Sequence, residues 1–227
     1  MKIVMVASEA RPFCKTGGLA DVTYSLSKEL VSMGEEVSII LPFYDTVKNN
    51  VKFTFTYETT IEIRMSWRHQ KLDVYASYSD GIKYYFIDSE QYYSRGHLYG
   101  DFDDGERFAA FCHAAMSLMV KVDLNPDIVH CHDWQTGMIP FMIKQGEYAP
   151  LFRKTKTVLT IHNPAFQGLL PQFCLGDLYN FSDDYFYNGS VRLKEQVSTL
   201  KAGIFYADKI TTVSPTHRCE LLTPEGS

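Results

Sequence analysis

Several features that mark large classes of proteins are missing from this 227-residue sequence. Basic residues are not in excess, because 22 Lys and Arg face 27 Asp and Glu, and the formal net charge at pH 7 is −5. A protein without a basic field has little attraction for a nucleic-acid backbone. There is also no apolar run of membrane-spanning length and no basic-then-apolar leader. We therefore expect neither a nucleic-acid partner nor a membrane partner.

Cysteine pairs and three common catalytic motifs are missing as well. The five cysteines are odd in number and form no C-x-x-C motif. This is typical of a reduced, intracellular protein and predicts a cytoplasmic location. The sequence has no G-x-x-x-x-G-K-S/T, no G-x-G-x-x-G and no G-x-S-x-G motif. These absences argue against a P-loop ATPase, a dinucleotide oxidoreductase and a serine hydrolase.

What the sequence does contain is an alternation of apolar strands and amphipathic helices. The predicted strands cover residues 2–7, 36–41, 127–131, 157–161 and 209–213. The predicted helices cover residues 20–33, 106–121, 135–145 and 191–206. With 45% hydrophobic residues available for a core, this rhythm predicts an α/β fold with a doubly wound, parallel, Rossmann-like sheet.

Parts of the chain depart from that rhythm. Short runs with half-buried strand periodicity predict an antiparallel β insertion at residues 51–57, 61–67, 72–74 and 84–87. Residues 89–105 carry three glycines among aromatic residues and predict a mobile loop. A helix is predicted over residues 215–222, and a polar Pro/Gly tail follows it. We expect residues 1–214 to form one domain and residues 215–227 to begin an interdomain linker.

The most informative local pattern is a strand, a glycine pair and a helix near the start of the chain. The apolar strand leads to Lys15, Gly17 and Gly18, and the predicted helix follows. Glycines let the backbone approach an anion closely, and the first N–H groups of a helix carry positive potential. The pattern predicts a phosphate site. A plain turn beside a solvated lysine is the alternative.

Polar clusters follow four of the predicted parallel strands, at residues 15–21, 130–134, 162–163 and 214–215. Ligands of open parallel sheets bind beyond the carboxyl ends of the strands, so we expect these clusters to converge on one site. Structural alternatives are a core role for His130, an N-cap role for Asp133, a core role for Trp134 and a turn at Asn163. Zinc is disfavoured, because we expect His130 and His132 to point to opposite faces of the strand.

Longer motifs, taken in order, resemble those of bacterial glycogen synthases and plant starch synthases. They are K-T-G-G-L-A-D-V at 15–22, R-F-A at 107–109, H-C-H-D-W at 130–134, T-I-H-N at 160–163, Q-G at 167–168, N-G at 188–189, L-K-A-G at 200–203, and Y-A-D through T-V-S-P at 206–215. The similarity covers nearly the whole chain. It implies a retaining glycosyltransferase that moves glucose from ADP-glucose to the non-reducing end of an α-1,4-glucan, with no metal and no cofactor.

The resemblance also implies an architecture. Such enzymes have two Rossmann-like domains that face each other across a cleft, the GT-B arrangement, and this chain resembles only the first, acceptor-side domain. The carboxy-terminal nucleotide-binding domain is absent, so we expect the chain alone to be inactive. Two other functions stay open: a non-catalytic glucan-binding module, and a related glycosyltransferase that uses a UDP-sugar.

The resemblance assigns donor-binding roles near the first helix. Lys15, Gly17 and Gly18 match positions that hold the donor's pyrophosphate, and Asp21 lies in the same loop-and-helix site. Lys15 is implied to be catalytic, because a cation there would stabilise the leaving diphosphate most when its charge is fully developed.

Further roles follow from the other motifs. His162 and Asn163 resemble the donor-binding pair that contacts the transferred glucose, and His162 is implied to be catalytic by orienting that sugar. Tyr99, Asp133 and Trp134 match acceptor-binding positions. An indole stacked on a neutral sugar face is physically reasonable.

Overall fold

The computed structural model describes residues 1–223. The strands are β1 (Lys2–Val6), β2 (Glu36–Pro42), β3 (Thr56–Met65), β4 (Arg68–Ser79), β5 (Ile82–Asp88), β6 (Ile128–His132), β7 (Lys156–Ile161), β8 (Leu169–Leu170), β9 (Arg192–Leu193), β10 (Gln196–Ser198) and β11 (Lys209–Thr212). The helices are α1 (Gly18–Ser32), α2 (Asp45–Lys48), α3 (Glu90–Tyr93), α4 (Asp104–Lys121), α5 (Asp133–Thr136), α6 (Met138–Gln145), α7 (Cys174–Tyr179), α8 (Asp184–Tyr187), α9 (Thr199–Tyr206) and α10 (Pro215–Leu221).

Eight strands form one sheet in the order β11-β7-β6-β1-β2-β5-β4-β3. Neighbours from β11 to β5 all run parallel. The chain begins in the middle at β1, moves to β2 on one side, and later returns to β6 on the other side before reaching β7 and β11. Because crossovers between parallel strands are right-handed, the two directions of winding place helices on both faces. The predicted doubly wound α/β sheet is confirmed.

The predicted antiparallel insertion is present as an extension of this sheet. Strands β3, β4 and β5 pair antiparallel in sequence, but β5 also pairs parallel with β2 and so joins the central sheet. The first predicted run is wrong, because β3 begins only at Thr56. Phe53 and Phe55 instead pack their rings 4.5 Å and 5.9 Å from the ring of Phe13. Alternation in this run therefore comes from aromatic packing and not from strand pairing.

The predicted helix over residues 191–206 is wrong in its first half. Strands β9 and β10 pair antiparallel across a turn that contains Lys194, which has φ +54°, and β10 also pairs with β8, so the three form a small antiparallel sheet. Helix α9 starts only at Thr199, and the Ser198 side chain caps it by accepting a hydrogen bond from the Lys201 N–H at 3.0 Å. Val191 and Val197 are buried, but they serve the small sheet and not a helix face.

The predicted mobile loop over residues 89–105 also differs from expectation. Residues 89–105 are packed, because α3 occupies part of the segment and Tyr92 and Tyr93 are fully buried. The predicted helix after residue 215 is present as α10, whereas the tail from residue 224 onward lies outside the described residues. Within residues 1–223, no helix has both the length and the apolar character needed to cross a membrane.

Candidate active site

A cleft of about 670 Å³ lies at the carboxyl ends of β1, β6, β7 and β11. The order of winding reverses between β1 and β6, and such reversal points are where open α/β sheets bind ligands. The lining residues come from the four connections that follow these strands and from one further segment before and at the start of α4. They are Glu9, Thr16, Gly17, Gly18, Leu19 and Val22; Asp133, Trp134 and Gln135; His162, Asn163 and Phe166; Val213; and, from the further segment, Tyr99, Gly100 and Asp104. The four predicted connections therefore meet in one cleft.

The glycine loop presents unused backbone donors to this cleft. Gly17 is the N-cap of α1, has an extended backbone (φ −144°) and provides no side-chain cap, so the first N–H groups of this 15-residue helix keep their hydrogen-bonding capacity. Glu9, which is 2% exposed, accepts hydrogen bonds from the Thr16 N–H and from the Thr16 hydroxyl at 3.0 Å. The loop is thus held in place from below by a buried carboxylate.

Lys15 and Asp21 are not among the residues that line the cleft. The Lys15 ammonium donates to Asp21 Oδ2 at 2.6 Å, and Arg11 donates to Asp21 Oδ1 at 3.2 Å. These hydrogen bonds hold the pKa of Asp21 below its ordinary value, with Lys15 contributing most. Lys15 and Asp21 therefore pair with each other beside the cleft, and their donor-binding roles stay predictions. They adjoin lining residues Thr16 and Val22 in sequence.

Three histidines form a column next to the cleft. The rings of His130 and His132 stack with centroids 4.5 Å apart, and Nδ1 of His132 lies 3.0 Å from Nε2 of His162. Burial lowers the pKa of His130 and of His162 to about 4 and that of His132 well below 6.5, so all three are neutral at pH 7. The expectation that His130 and His132 face opposite ways is wrong, because side chains two residues apart on a strand share a face.

The three histidines are not arranged as a metal-binding site within residues 1–223. Nε2 of His130 instead lies 2.6 Å from the Thr160 hydroxyl, consistent with the core role offered as an alternative. Within residues 1–223, no three His, Cys, Asp or Glu side chains are placed to hold a metal ion.

Asp133 uses its carboxylate to fix the turn after β7. It has φ +56°, a left-handed conformation that aspartate tolerates better than most residues, and Oδ1 accepts hydrogen bonds from the His162 N–H at 2.7 Å and the Asn163 N–H at 3.3 Å. Burial raises the pKa of Asp133 to about 6. The N-cap alternative is wrong, because the carboxylate reaches across to the neighbouring connection and caps no helix.

Two aromatic side chains form the other wall. Trp134 packs edge-on against Phe108, with centroids 5.2 Å apart, and Tyr99 lies 6.0 Å from the same ring. The Tyr99 hydroxyl is 2.8 Å from the Ser8 hydroxyl. Gly168 has φ +58°, and a Cβ there would lie 2.8 Å from the Trp134 ring, so only glycine allows this approach.

A fully buried arginine holds the segment that carries Tyr99. Arg107 donates from Nε to the Tyr92 carbonyl at 2.7 Å and from a terminal nitrogen to the Leu98 carbonyl at 3.3 Å. Its other terminal nitrogen pairs with Asp101 at 2.7 Å and with Asp104. The segment between α3 and α4 is therefore wrapped around one guanidinium.

The family of the chain is decided by its sequence match. The family model for the starch synthase catalytic domain matches residues 2–227. The chain belongs to this family. The fold is shared with the catalytic domain of starch synthase IV from Arabidopsis thaliana, whose structure is described as bound to ADP and acarbose. That match has a TM-score of 0.91 and 30% identity, and it covers 99% of this chain and 47% of the other.

Curated relatives of this starch synthase domain are glycogen synthases. The one from Streptococcus gordonii is 46% identical over 228 residues, covering 99% of this chain and 48% of its own length. The one from Anoxybacillus flavithermus is 43% identical over 226 residues, covering 99% and 46%. The chain thus spans about half the length of the curated relatives it matches.

Sequence reasoning missed three residues that shape the site of this starch synthase domain. The sequence analysis assigns no site role to Glu9, Arg11 or Arg107. Glu9 binds the glycine loop, Arg11 binds Asp21 beside Lys15, and Arg107 holds the segment that carries Tyr99. A charged residue inside an apolar helical run, as Arg107 is, was the one available signal. Glu9 and Arg11 gave no signal separable from ordinary surface charge.

Proposed function

We propose that the full-length protein containing this domain transfers glucose from ADP-glucose to the non-reducing end of an α-1,4-glucan with retention of configuration. One observation carries the proposal: an uncapped helix N-terminus behind Gly17 and Gly18 shares a single cleft with His162, Asn163 and the aromatic wall. Family membership, and the ADP and acarbose described for the Arabidopsis match, support it.

At the donor end, negative charge develops on the diphosphate as the glucosyl–phosphate bond breaks. The amides of Gly17 and Gly18 and the positive end of the α1 dipole would stabilise that charge without reorganisation. Lys15 is 48% exposed and can exchange Asp21 for the diphosphate, because Arg11 stays behind to neutralise Asp21. Lys15 is thus a catalytic residue in this proposal, and Asp21 sets its resting position.

At the sugar end, His162 and Asn163 would contact the transferred glucose. A neutral imidazole there forms hydrogen bonds with hydroxyl groups and adds no positive charge beside a sugar ring that becomes cationic. Trp134 and Tyr99 would pack on the acceptor glucan. Asp133 would act at this end by fixing the His162–Asn163 turn, since its Oδ1 is already engaged.

The remaining elements of the proposal concern the rest of the protein and its location. A second, nucleotide-binding domain would close the cleft, in keeping with relatives that are about twice as long. Residues 1–214 would be the acceptor-side domain and residues 215–227 the start of the linker. A cytoplasmic location is in keeping with the five cysteines, all unpaired and four of them buried.

The test is a transfer assay on the full-length protein, with maltooligosaccharide as acceptor and ADP-glucose or UDP-glucose as donor. We expect chain extension that prefers ADP-glucose, and product that β-amylase degrades from the non-reducing end. A preference for UDP-glucose would mean that the proposed donor, ADP-glucose, is wrong and that the enzyme uses a UDP-sugar. Tight glucan binding without transfer from either donor would favour a glucan-binding module and overturn the proposal.

A further inference from the structure

His132 is the side chain next to the cleft whose chemistry the proposed reaction leaves unexplained. It is completely buried at the end of β6 and does not line the cleft. Its Nδ1 lies 3.0 Å from Nε2 of His162, and its Nε2 is one of three buried side-chain polar atoms that lack a partner within residues 1–223.

The contact between the two rings fixes where their protons can be. A neutral imidazole has one N–H donor and one acceptor nitrogen, and both rings are neutral because burial lowers the pKa of each. If Nε2 of His162 donated the hydrogen bond, the proton of His132 would sit on its own Nε2. That would bury an N–H group without an acceptor.

The opposite arrangement avoids this cost. If Nδ1 of His132 donates, its orphaned Nε2 is only an acceptor, and unpaired buried N–H groups are rarer than under-used acceptors. His162 must then accept at Nε2 and carry its own proton on Nδ1. Among residues 1–223, Nδ1 of His162 has no hydrogen-bond partner, and it is not one of the buried orphaned atoms, so it is accessible to a ligand.

We propose that His132 is a positioning residue that donates from Nδ1 to His162 and thereby holds His162 as the Nδ1–H tautomer. His162 can then only donate at its free nitrogen, so it selects a ligand oxygen that accepts a hydrogen bond. The assignment of that ligand as the transferred glucose rests on the proposed function. The tautomer itself does not.

The first experiment reads the tautomer directly in the 227-residue chain. Histidine labelled with nitrogen-15 and long-range proton–nitrogen NMR correlations report which ring nitrogen of His162 is protonated. We expect Nδ1 in the wild type and in H132N, whose amide N–H takes the place of Nδ1–H. In H132L we expect His162 to shift to a mixture with the Nε2–H form.

A matched control comes from α4. His113 is also buried, its pKa is lowered to about 4 by burial, and its Nε2 bonds to the Leu178 carbonyl at 2.9 Å, but it has no contact with His162. H113L should leave the His162 tautomer unchanged. A proton on Nε2 of His162 in the wild type, or an unchanged tautomer in H132L, overturns the proposal.

The second experiment measures transfer by the full-length protein. A misplaced or mis-protonated His162 should lower kcat by about 10–100-fold in H132L, with a smaller effect on the glucan KM and recovery of most activity in H132N. An H132N protein as inactive as H132L, despite an Nδ1–H His162, would contradict the positioning role. If the tautomers behave as expected but the wild type transfers no glucose, the proposed function fails and the His132 assignment stands.

Discussion

The Asp21 carboxylate, next to the cleft, binds two cationic side chains. Lys15 and Arg11 both bind it, and all three side chains are between 38% and 55% exposed. Exposed ion pairs of this kind contribute little to stability and are screened by salt. The Lys15 ammonium is therefore held loosely, and a diphosphate with more charge than one carboxylate can compete for it.

The first prediction concerns Lys15→Ala in the full-length protein. Loss of one donor to a developing anion should lower kcat by about 10²–10³. Steady-state kinetics with ADP-glucose measures the effect. The matched control is Lys28→Ala, because Lys28 is similarly exposed (55% against 48%) and also pairs with a carboxylate, Asp80 at 3.3 Å, but lies within helix α1 beyond its first turn and not beside Gly17 and Gly18. A Lys15→Ala effect of only a few-fold would contradict the leaving-group role.

The second prediction concerns the buried carboxyl group of Asp133, whose pKa rises from 3.8 to about 6 through burial. Between these two pKa values the folded state binds more protons than the unfolded state. The contribution of Asp133 to the free energy of unfolding is therefore full below pH 3.8 and is lost as the pH rises through 6. Asn accepts the same hydrogen bonds, tolerates φ above zero and does not titrate. The free energy of unfolding of D133N should therefore rise by about 2–3 kcal/mol relative to that of the wild type between pH 4 and pH 7.5.

Denaturant unfolding at the two pH values measures that difference. D208N is the control of opposite sign: although burial acts the other way, hydrogen bonds from Lys144 and Thr157 hold the pKa of Asp208 below its ordinary value. The stabilisation from a lowered pKa is already present above pH 3.8 and is lost only as the pH falls further, so the stability of D208N relative to wild type should hardly change between pH 4 and 7.5 and should not rise. A D133N difference that does not change with pH would mean that Asp133 ionises normally.

At the scale of elements, helix α4 determines the position of the aromatic wall. Arg107 on α4 binds two carbonyls and two carboxylates of the segment leading to it, and lysine cannot reproduce this fork. R107K should therefore release Tyr99 while leaving the glycine loop on α1 unchanged. We expect the glucan KM to rise about tenfold, equivalent to about 1.4 kcal/mol, with the ADP-glucose KM unchanged.

Kinetics with each substrate varied in turn test this separation. R95K is the control, because Arg95 pairs with Asp103 at 2.8 Å in the same segment and reaches Asp101 only at 3.8 Å, and its side chain is partly exposed whereas that of Arg107 is fully buried. A change in R107K confined to the ADP-glucose KM, or equal in both KM values, would contradict a role limited to the acceptor side.

The parallel strands and long helices could be predicted because each carries a sustained hydrophobic period. Strand β1 is apolar throughout its buried part, and α4 repeats apolar residues over 18 positions. The small sheet could not be predicted, because β8 and β9 have two residues each and no period exists at that length. Val191 and Val197 instead fit the apolar period of the following helix, which is why the sequence predicts a helix there.

The location of the site could be predicted from the sequence, but only some of its side-chain contacts could. Strand order at the carboxyl edge follows from topology, so the meeting of Gly17, Asp133 and His162 could be expected. Contacts between side chains depend on rotamers and on burial that only the fold sets. The bond from Nδ1 of His132 to His162 and the pairing of Lys15 with Asp21 belong to this second kind.

At the scale of the whole molecule, the proposed function gives this domain one side of a cleft between two domains. In the proposed function, this side would offer a diphosphate a set of backbone amides and one exchangeable lysine, and it would offer sugar polar and aromatic side chains. The chain also spans about half the length of its curated relatives. A closed, water-excluding site of the kind that makes fixed donors effective therefore calls for a second wall.

The last prediction follows for the 227-residue chain by itself. Without a second wall, we expect no measurable glucan extension and an ADP affinity at least about 100-fold below that of the full-length protein, a difference of about 2.7 kcal/mol. Titration calorimetry on both proteins measures the affinity, and a radiolabel transfer assay measures extension. The remaining ADP binding should weaken further in Lys15→Ala and not in Lys28→Ala, because the local anion site consists of the glycine loop and its lysine. Robust extension by the chain alone would mean that the cleft described here is already complete.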